Sequence, residues 1–400
     1  MRKYFSFILI GVLAVTAGLA SLSCTKKPET KYIAFYSLPA ETIQAVQTVL
    51  KDRFPTIEES FEWRIIDSEL PVASFMAQNP QTVFVFSSDN RGLFEARASF
   101  IRHPAETFQP LPSTFLHHFF TQEDDSSSYA FPLLLDPVKL ACSTAVAEKL
   151  NRGSYMLYED FERIQHAAGS RVSFPLTCAG GADEQLFAMI SSVASMQGLL
   201  LNADTAAALG KNPDLHTNCP PVLKTVLDTL VAWRQQGILH PEWFRLVEGD
   251  VSIFMEFNST ALAALPLSAS RRLKREVLEH FSTMQLPLPD LLVKKNMPAT
   301  TVVWAQAIQT EEEKFPIIGD IRAFLYAQET DELLARATHL APVFAAAQTE
   351  DAEASSGRYW AASSNLVVPF LGDAACVTAA EKKQLAESIR RYLEVNGVGY

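Results

Sequence analysis

Between residues 31 and 90 the chain alternates short apolar runs with amphipathic stretches, and this order limits the fold more than any other feature of the sequence. "YIAFYS" reads as a strand closed by the Ser37-Leu38-Pro39 loop. "AETIQAVQTVLKDRFP" then sets Ile43, Val46, Val49 and Leu50 on one helical face and stops before Pro55. "SFEWRIID" alternates as a strand, "PVASFMAQ" is a short helix, and "TVFVFSSDN" is a continuous apolar strand with a polar end. Strand and helix in strict alternation imply a parallel sheet with helices on both faces. Such sheets bind ligands beyond the carboxyl ends of their strands. A site is therefore expected at the loops Ser37 to Glu41 and Ser87 to Arg91.

The middle of the chain continues the α/β pattern with two interruptions. "EDDSSS" reads as a surface loop, and "YAFPLLLDPVKLACS" is an extended apolar segment that Pro132 and Pro137 keep from being helical. "YEDFERIQHAAG" is a helix, "RVSFPLT" a strand, and "CAGGADEQLFAMISSVASMQG" a glycine turn feeding a helix. Residues 221–236 form an amphipathic helix opened by a proline in its first turn and ended by Gly237. "VSIFMEFNSTALAALP" reads as strand, polar turn, helix, and "FSTMQLPLP" is again extended. "TTVVWAQAIQ" is a strand, helices fill most of 311–350, and "TAAEKKQLAESIRRYLEV" is the last element. The two Pro-rich extended segments, 130–140 and 284–290, are the expected hinges between two α/β blocks.

The N-terminus carries a different message. Arg2 and Lys3 precede an apolar run from Phe5 to Leu22, followed by Ser23, Cys24 and Lys26-Lys27. Its length suits a bilayer span or an export signal equally. Small residues ahead of Cys24 fit a lipoprotein signal, removed as residues 1–23, with Cys24 lipidated and 24–30 serving as a tether. An uncleaved transmembrane anchor and an ordinary cleaved signal are the alternative readings. Several acyl chains anchor a protein stably where one does not. The formal charge of -11 becomes more negative once Arg2 and Lys3 are gone, which argues against a nucleic-acid partner. Cys142, Cys178, Cys219 and Cys376 remain; their spacing shows no zinc pattern, free thiols are expected, and Cys178 to Cys219 is the bridge to test first.

The order of segments resembles the extracellular solute-binding proteins of ABC importers, in the class that includes maltose-binding protein, over roughly residues 31–400. "YAFPLLLDPVKLACST" looks like that family's first crossover, and Tyr158-Glu159-Asp160-Phe161 stands where members often read Thr-Trp-Asp-Glu-Phe. "GDVSIFMEFNSTALAALP" is similar to a strand ending at a ligand-facing turn, with Asn258-Ser259 in place of the usual glycine and no tryptophan. "MQLPLP" looks like the return crossover, "TVVWAQAIQT" like the strand re-entering the first lobe, and "THLAPVFAAA" like the Pro-containing stretch after a helix. The resemblance implies an α/β, two-lobed periplasmic-binding-protein-like fold of type II, each lobe a mixed sheet flanked by helices. Lobe 1 would take 31–134 plus 291–348, and lobe 2 would take 135–290 plus 349–400. It implies capture of a sugar or related polar solute in the interlobe cleft, delivery to permease subunits, no cofactor, and a monomer lipid-anchored on the periplasmic or extracellular side of the cell membrane.

Candidate ligand residues follow from position. Tyr36, Ser37 and Glu41 close the first strand, and Asp89, Asn90 and Arg91 match the polar cluster that binds sugar hydroxyls in the family; helix capping and core packing explain the first three equally well, and a solvated turn with a helix cap explains the other three. Gly180 and Gly181 let backbone approach a ligand, with Asp183 beside them, unless they form a plain strand-to-helix turn. Asn258 stands at the expected turn. Tyr359 and Trp360 fall where the family often supplies a stacking aromatic, or else are core. Trp304 reads as core or cleft floor, and Trp233 and Trp243 as helix packing. No Gly-x-Ser-x-Gly, His-Glu-x-x-His or phosphate-loop motif is present, and adjacent His117 and His118 point apart on a helix, so no enzyme is expected. A metal receptor, or a surface lipoprotein that keeps this fold to bind a partner protein, are the alternatives.

Overall fold

The computed structural model describes residues 30–66, 72–88, 91–109, 111, 120–121, 124–151, 155–157, 160–169, 172–197, 199, 215–288, 299–309, 312–347, 354–355, 358, 367–368 and 378–396. Cys24 and the apolar N-terminal run lie outside them. Among the described residues no helix is long and apolar enough to cross a membrane.

The first strands are β1 (Tyr32–Tyr36), β2 (Glu62–Ile66) and β3 (Thr82–Ser87). β1 lies between the other two, parallel to both, with Tyr36 opposite Ile66 and Phe86. Helix α1 (Ala40–Arg53) connects β1 towards β2, and it buries Ile43, Val46, Val49 and Leu50 on the face its periodicity predicts. β3 is buried at every position, as expected of a strand covered on both faces.

The next long strand, β4 (Phe131–Ser143), joins the two halves of the sheet. In the second half, β5 (Phe174–Cys178) leads through a glycine turn into α2 (Asp183–Met196). Helix α3 (Pro221–Gln235) starts on a proline, buries Leu223, Val226, Leu227 and Leu230, and ends at Gly237, whose φ of 69° is the left-handed conformation of a helix stop. Then come α4 (Glu248–Glu256), β6 (Thr260–Pro266), α5 (Leu267–Arg271), β7 (Phe281–Leu288) and β8 (Ala299–Ile308), followed by α6 (Pro316–Leu325), α7 (Gln328–Thr338) and α8 (Ala379–Asn396). The main sheet runs β2-β1-β3-β8-β4-β6-β5, with β7 also paired to β4.

Two expectations are overturned. Residues 248–256 are helix and 260–266 are strand, the reverse of the order read from sequence. Val251 and Met255, four apart, face inward while Ile253 and Phe257 lie exposed, so the spacing that mattered was helical and the apolar residues between imitated alternation. The alanines of "TALAALP" suit a helix by propensity, yet they fill a strand buried between β4 and β5 where small side chains fit. The acidic, Ser-rich stretch is likewise no plain loop. Asp124–Ser128 is a strand pairing with His103–Pro104 and Phe120–Thr121 in a small antiparallel sheet.

Two large apolar cores flank the sheet. One gathers β1 to β3 and the start of β4 through Leu135, with β8, α6 and α7. The other begins at Leu140 and takes β5, β6, α2, α3 and, from the end of the chain, Leu385, Ile389 and Leu393. Helix α8 is bound there by polar contacts too: Tyr392 donates to Asp228 at 2.8 Å and Arg234 donates to the carbonyl of Leu393 at 3.0 Å. Cys142 and Cys178 are buried free thiols and Cys219 is a half-buried one, so the Cys178 to Cys219 bridge is not formed. Burial pushes the Cys142 thiol up to about 12 and the Cys219 thiol up to about 11, which leaves both protonated and unreactive at neutral pH.

In the first core Asp331, on α7, accepts the amides of Val343 and Phe344 at 3.1 and 2.9 Å and so fixes the chain after the helix. Burial, partly offset by those amides and Arg358, raises its carboxyl to about 7. The folded chain therefore holds this proton more tightly than the unfolded one, and the stability it contributes is present at low pH and lost as pH rises from about 4 through about 7. Asp331→Asn gives up one acceptor at every pH, but its melting temperature should gain on the wild type by roughly a few degrees between pH 5 and pH 8. Thermal melts of both proteins across that range check the sign.

Candidate functional site

The register of the sheet places the site. On one side Ser87 ends β3 opposite Trp304 of β8, and Trp304 faces Leu134 of β4. On the other side Cys178 ends β5 opposite Ala264, and β6 ends with Pro266 opposite Val138 of β4. Strand ends from both cores thus point at the same short stretch of β4, residues 134–138, a length of about 13 Å. Parallel strands leave their ligand-facing loops at carboxyl ends, and here two sets of such ends meet.

The first wall is built from the end of β1. Tyr36 is buried. Ser37 is exposed and adopts φ 58°, a left-handed conformation that costs a non-glycine residue roughly 1 kcal/mol and turns the chain sharply off the strand into α1. Glu41 is exposed in the first turn of α1, where a carboxylate suits the helix dipole. The backbone of Arg91 opens the short helix Arg91–Glu95 after β3. Asp89 and Asn90 lie outside the described residues, as do Tyr359 and Trp360.

The second wall differs from expectation in what its glycines do. Gly180 donates to the carbonyl of Trp243 at 2.9 Å and Gly181 to that of Leu246 at 2.8 Å. A Cβ on Gly180 would sit 2.6 Å from the Trp243 ring, and one on Gly181 would sit 2.7 Å from the carbonyl oxygens of Arg245 and Leu246. Close approach is required, but to the chain's own 243–246 segment. Arg390 of α8 then donates to the carbonyls of Gly180, Gly181 and Phe244 at 3.3, 2.8 and 3.3 Å and pairs with Asp183 at 2.7 Å. Amides and carbonyls of both glycines are therefore consumed within the fold. Trp243 is fully buried in a short 3-10 turn, and Trp233 packs in the second core.

Asn258 is not at this place. It has φ 51° in the turn before β6, beside Ser259, whose carbonyl receives the amides of Ser173 and Phe174 at the start of β5. That is the amino end of these strands, opposite to the end where Gly180, Gly181 and Pro266 lie. Reversal of the strand and helix assignments accounts for the displacement: at its carboxyl end β6 passes through Pro266 directly into Leu267 and Ser268 of α5.

Residues not singled out from the sequence occupy the floor. Asp136 of β4 is 5% exposed, and its carboxylate accepts the Ser268 amide at 2.8 Å and the Ser268 hydroxyl at 2.6 Å. Burial dominates, and Glu248 adds to it, so the carboxyl is raised to about 6 despite those bonds and Arg272. Glu248, at the start of α4, accepts from Gln185 of α2 and pairs with Arg272. The sequence signal for Asp136 was a charged residue, with Lys139, inside an extended segment that is mostly apolar. Among the described residues no group of three His, Cys, Asp or Glu side chains is placed to hold a metal ion.

No protein-family model matches the chain, and no curated protein matches it in sequence. Solved structures do match in shape. A chitin oligosaccharide binding protein superposes with a TM-score of 0.65 at 11% identity, over 93% of this chain and 100% of the other. Maltose-bound MalE3 of T. maritima gives 0.62 at 14% identity, over 92% and 100%. The chain has the type II periplasmic-binding-protein fold. The same fold also carries chemistry, since thiaminase I of Clostridium botulinum in complex with thiamin superposes at 0.63 with 14% identity, over 91% and 100%. Function is therefore argued from the site.

The glycine contacts give a direct test. Gly181→Ala forces a methyl against two main-chain oxygens that cannot rotate away, and should destabilise the protein by about 2 kcal/mol or more. Denaturant unfolding of the variant measures it; unchanged stability would mean that the 243–246 segment is free to move.

Proposed function

We propose that this chain is a membrane-tethered solute-binding protein of an ABC importer, which captures a sugar or related polar organic solute and presents it to permease subunits. The observation that carries the reading is the meeting of strand carboxyl ends from two separate cores at residues 134–138 of a single strand. Lobe 1 is 31–134 plus 291–348, lobe 2 is 135–290 plus 349–400, and the strands crossing between them act as hinges. The solute lies between Ser37, Glu41 and the Asp89-Asn90-Arg91 loop on one wall and the junction of β6 with α5 at Pro266-Leu267-Ser268 on the other, over Asp136, while Tyr36 is buried in the first core and supports its wall from behind. Tyr359 and Trp360 supply the aromatic face that a pyranose ring prefers. Gly180, Gly181 and Asp183 hold the second wall in place, and Asn258 takes no part. Solute touching both walls favours the closed state by its differential affinity, and the closed state is what the permease reads. Several structural neighbours are named for binding sugars, among them a receptor with a stated preference for β-D-galactopyranose. One is titled a probable secreted solute-binding lipoprotein from Streptomyces coelicolor.

Thermal melts of the purified protein with maltose, galactose, chitooligosaccharides, polyols, glycerophosphodiesters and amino acids test the reading. One solute class should raise the melting temperature by several degrees at about a hundred times its Kd, where linkage contributes about 2.7 kcal/mol. No shift with any of them at millimolar concentration sinks the importer reading. For the solute that binds, Trp360→Ala should raise Kd about tenfold or more with little change in the solute-free melt.

Tethering is tested separately. Mass spectrometry of the mature N-terminus should find an acylated Cys24 and no residues 1–23, and Cys24→Ser should release the protein from the membrane fraction. An unmodified Met1 removes the lipid anchor from the proposal and leaves the binding cleft standing.

A further inference from the structure

Asp136 does more than line a floor. It stands in the part of β4 where the chain passes from one core to the other, between Leu135 of the first and Leu140 of the second. Its two carboxylate oxygens are engaged by one residue 132 positions away, the Ser268 amide on Oδ1 and the Ser268 hydroxyl on Oδ2. Ser268 belongs to α5, and α5 touches both sides: Leu267 packs in the first core, while Ala269 packs with Ala263, Leu265 and Val251 in a cluster of the second half. The Asp136 to Ser268 contact is therefore a joint between the crossover strand and a helix shared by both halves. We propose that this joint is proton-sensitive, tightened by acid and loosened as pH rises, and that it sets how readily the crossover region opens.

The physical argument is one of linkage. With its side chain 5% exposed, Asp136 has lost nearly all of its water, and among the described residues an ionised carboxylate there is met by the two hydrogen bonds from Ser268. Among the described residues the charges that act on it are Glu248 of α4, which opposes ionisation, and Arg272 after α5, which favours it but is already paired with Glu248. Burial thus holds the group at about 6, against 3.8 for a free aspartate. An arrangement that buries Asp136 binds the proton more tightly than one that lets water reach it, so protons favour the buried arrangement. Above the raised value the carboxylate is charged and any movement that hydrates it is favoured. When protonated, Asp136 keeps its carbonyl oxygen as acceptor for the Ser268 amide, and the serine hydroxyl can turn to accept the new O–H. The joint accordingly survives protonation while shedding the cost of a buried charge.

Hydrogen exchange of the full-length protein in detergent micelles, without solute, reads the joint directly. After correction for intrinsic exchange, protection of the segment 267–272 should fall about ten- to a hundredfold from pH 5 to pH 8 in the wild type. Asp136→Asn keeps an acceptor for the Ser268 amide and cannot ionise, so its protection should be the same at both pH values. Ser268→Ala keeps the acid, and should show lower protection overall but the same direction of pH response. A wild type with flat protection, or an Asn variant that follows the wild type, overturns the proposal. Its bearing on solute capture rests on the reading above, whereas the exchange result needs no solute. A failed solute screen with a pH-dependent joint, and a successful screen with a flat one, are therefore separate outcomes.

Discussion

One strand belongs to two cores, and the rest of the structure depends on that. Leu133 to Leu135 of β4 pack with the first strands of the chain, and Leu140 to Cys142 pack with the second half. Along the same strand, β8 pairs with residues 131–137 and β6 with residues 138–142. A strand that is hydrogen-bonded along its length resists bending, yet the side chains at its centre are shared by neither core in full. Such a segment fixes where two bodies meet without welding them together. It also forces the carboxyl ends of both sets of strands towards its middle, because β1 and β3 approach from one side and β5 and β6 from the other.

The middle of that strand is therefore where polar groups can be useful and where they are costly. Asp136 is the acid placed there, and its neighbours show how the fold accommodates it: a serine at the start of α5 gives two hydrogen bonds, while Glu248 and Arg272 neutralise one another nearby. The second wall is stiffened from the far end of the chain. Arg390 of the last helix meets three carbonyls and Asp183, so the Gly180-Gly181 turn is held by groups more than two hundred residues distant in sequence.

Much of the fold was legible because local physics and tertiary structure agreed. The alternation of β1, α1, β2 and β3, the proline start and glycine stop of α3, and the extended character of Phe131–Ser143 all follow from periodicity and turn chemistry. The α4 to β6 segment was misread because Ile253, Phe254 and Phe257 add apolar residues that are not all buried, blurring a period of four into one of two. That error carried into the site. With strand and helix exchanged, Asn258 was placed after a strand when it precedes one, and Pro266 to Ser268 went unnoticed. The glycine pair was recognised as a place of close approach, but sequence does not say what approaches.

By itself the sequence determined the α/β class, the faces of the amphipathic helices and the loops at which β1 and β3 end, since each depends on residues within about fifteen positions of one another. Only the tertiary structure decided what those loops face. Asp136 and Ser268, Arg390 and Gly181, Trp243 and Gly180 are pairs made by strand register and helix docking, and register is set by burial summed over whole strands rather than by any short pattern. Chemistry at the centre of this molecule is long-range by construction, because the site forms where distant parts of the chain are brought to one strand.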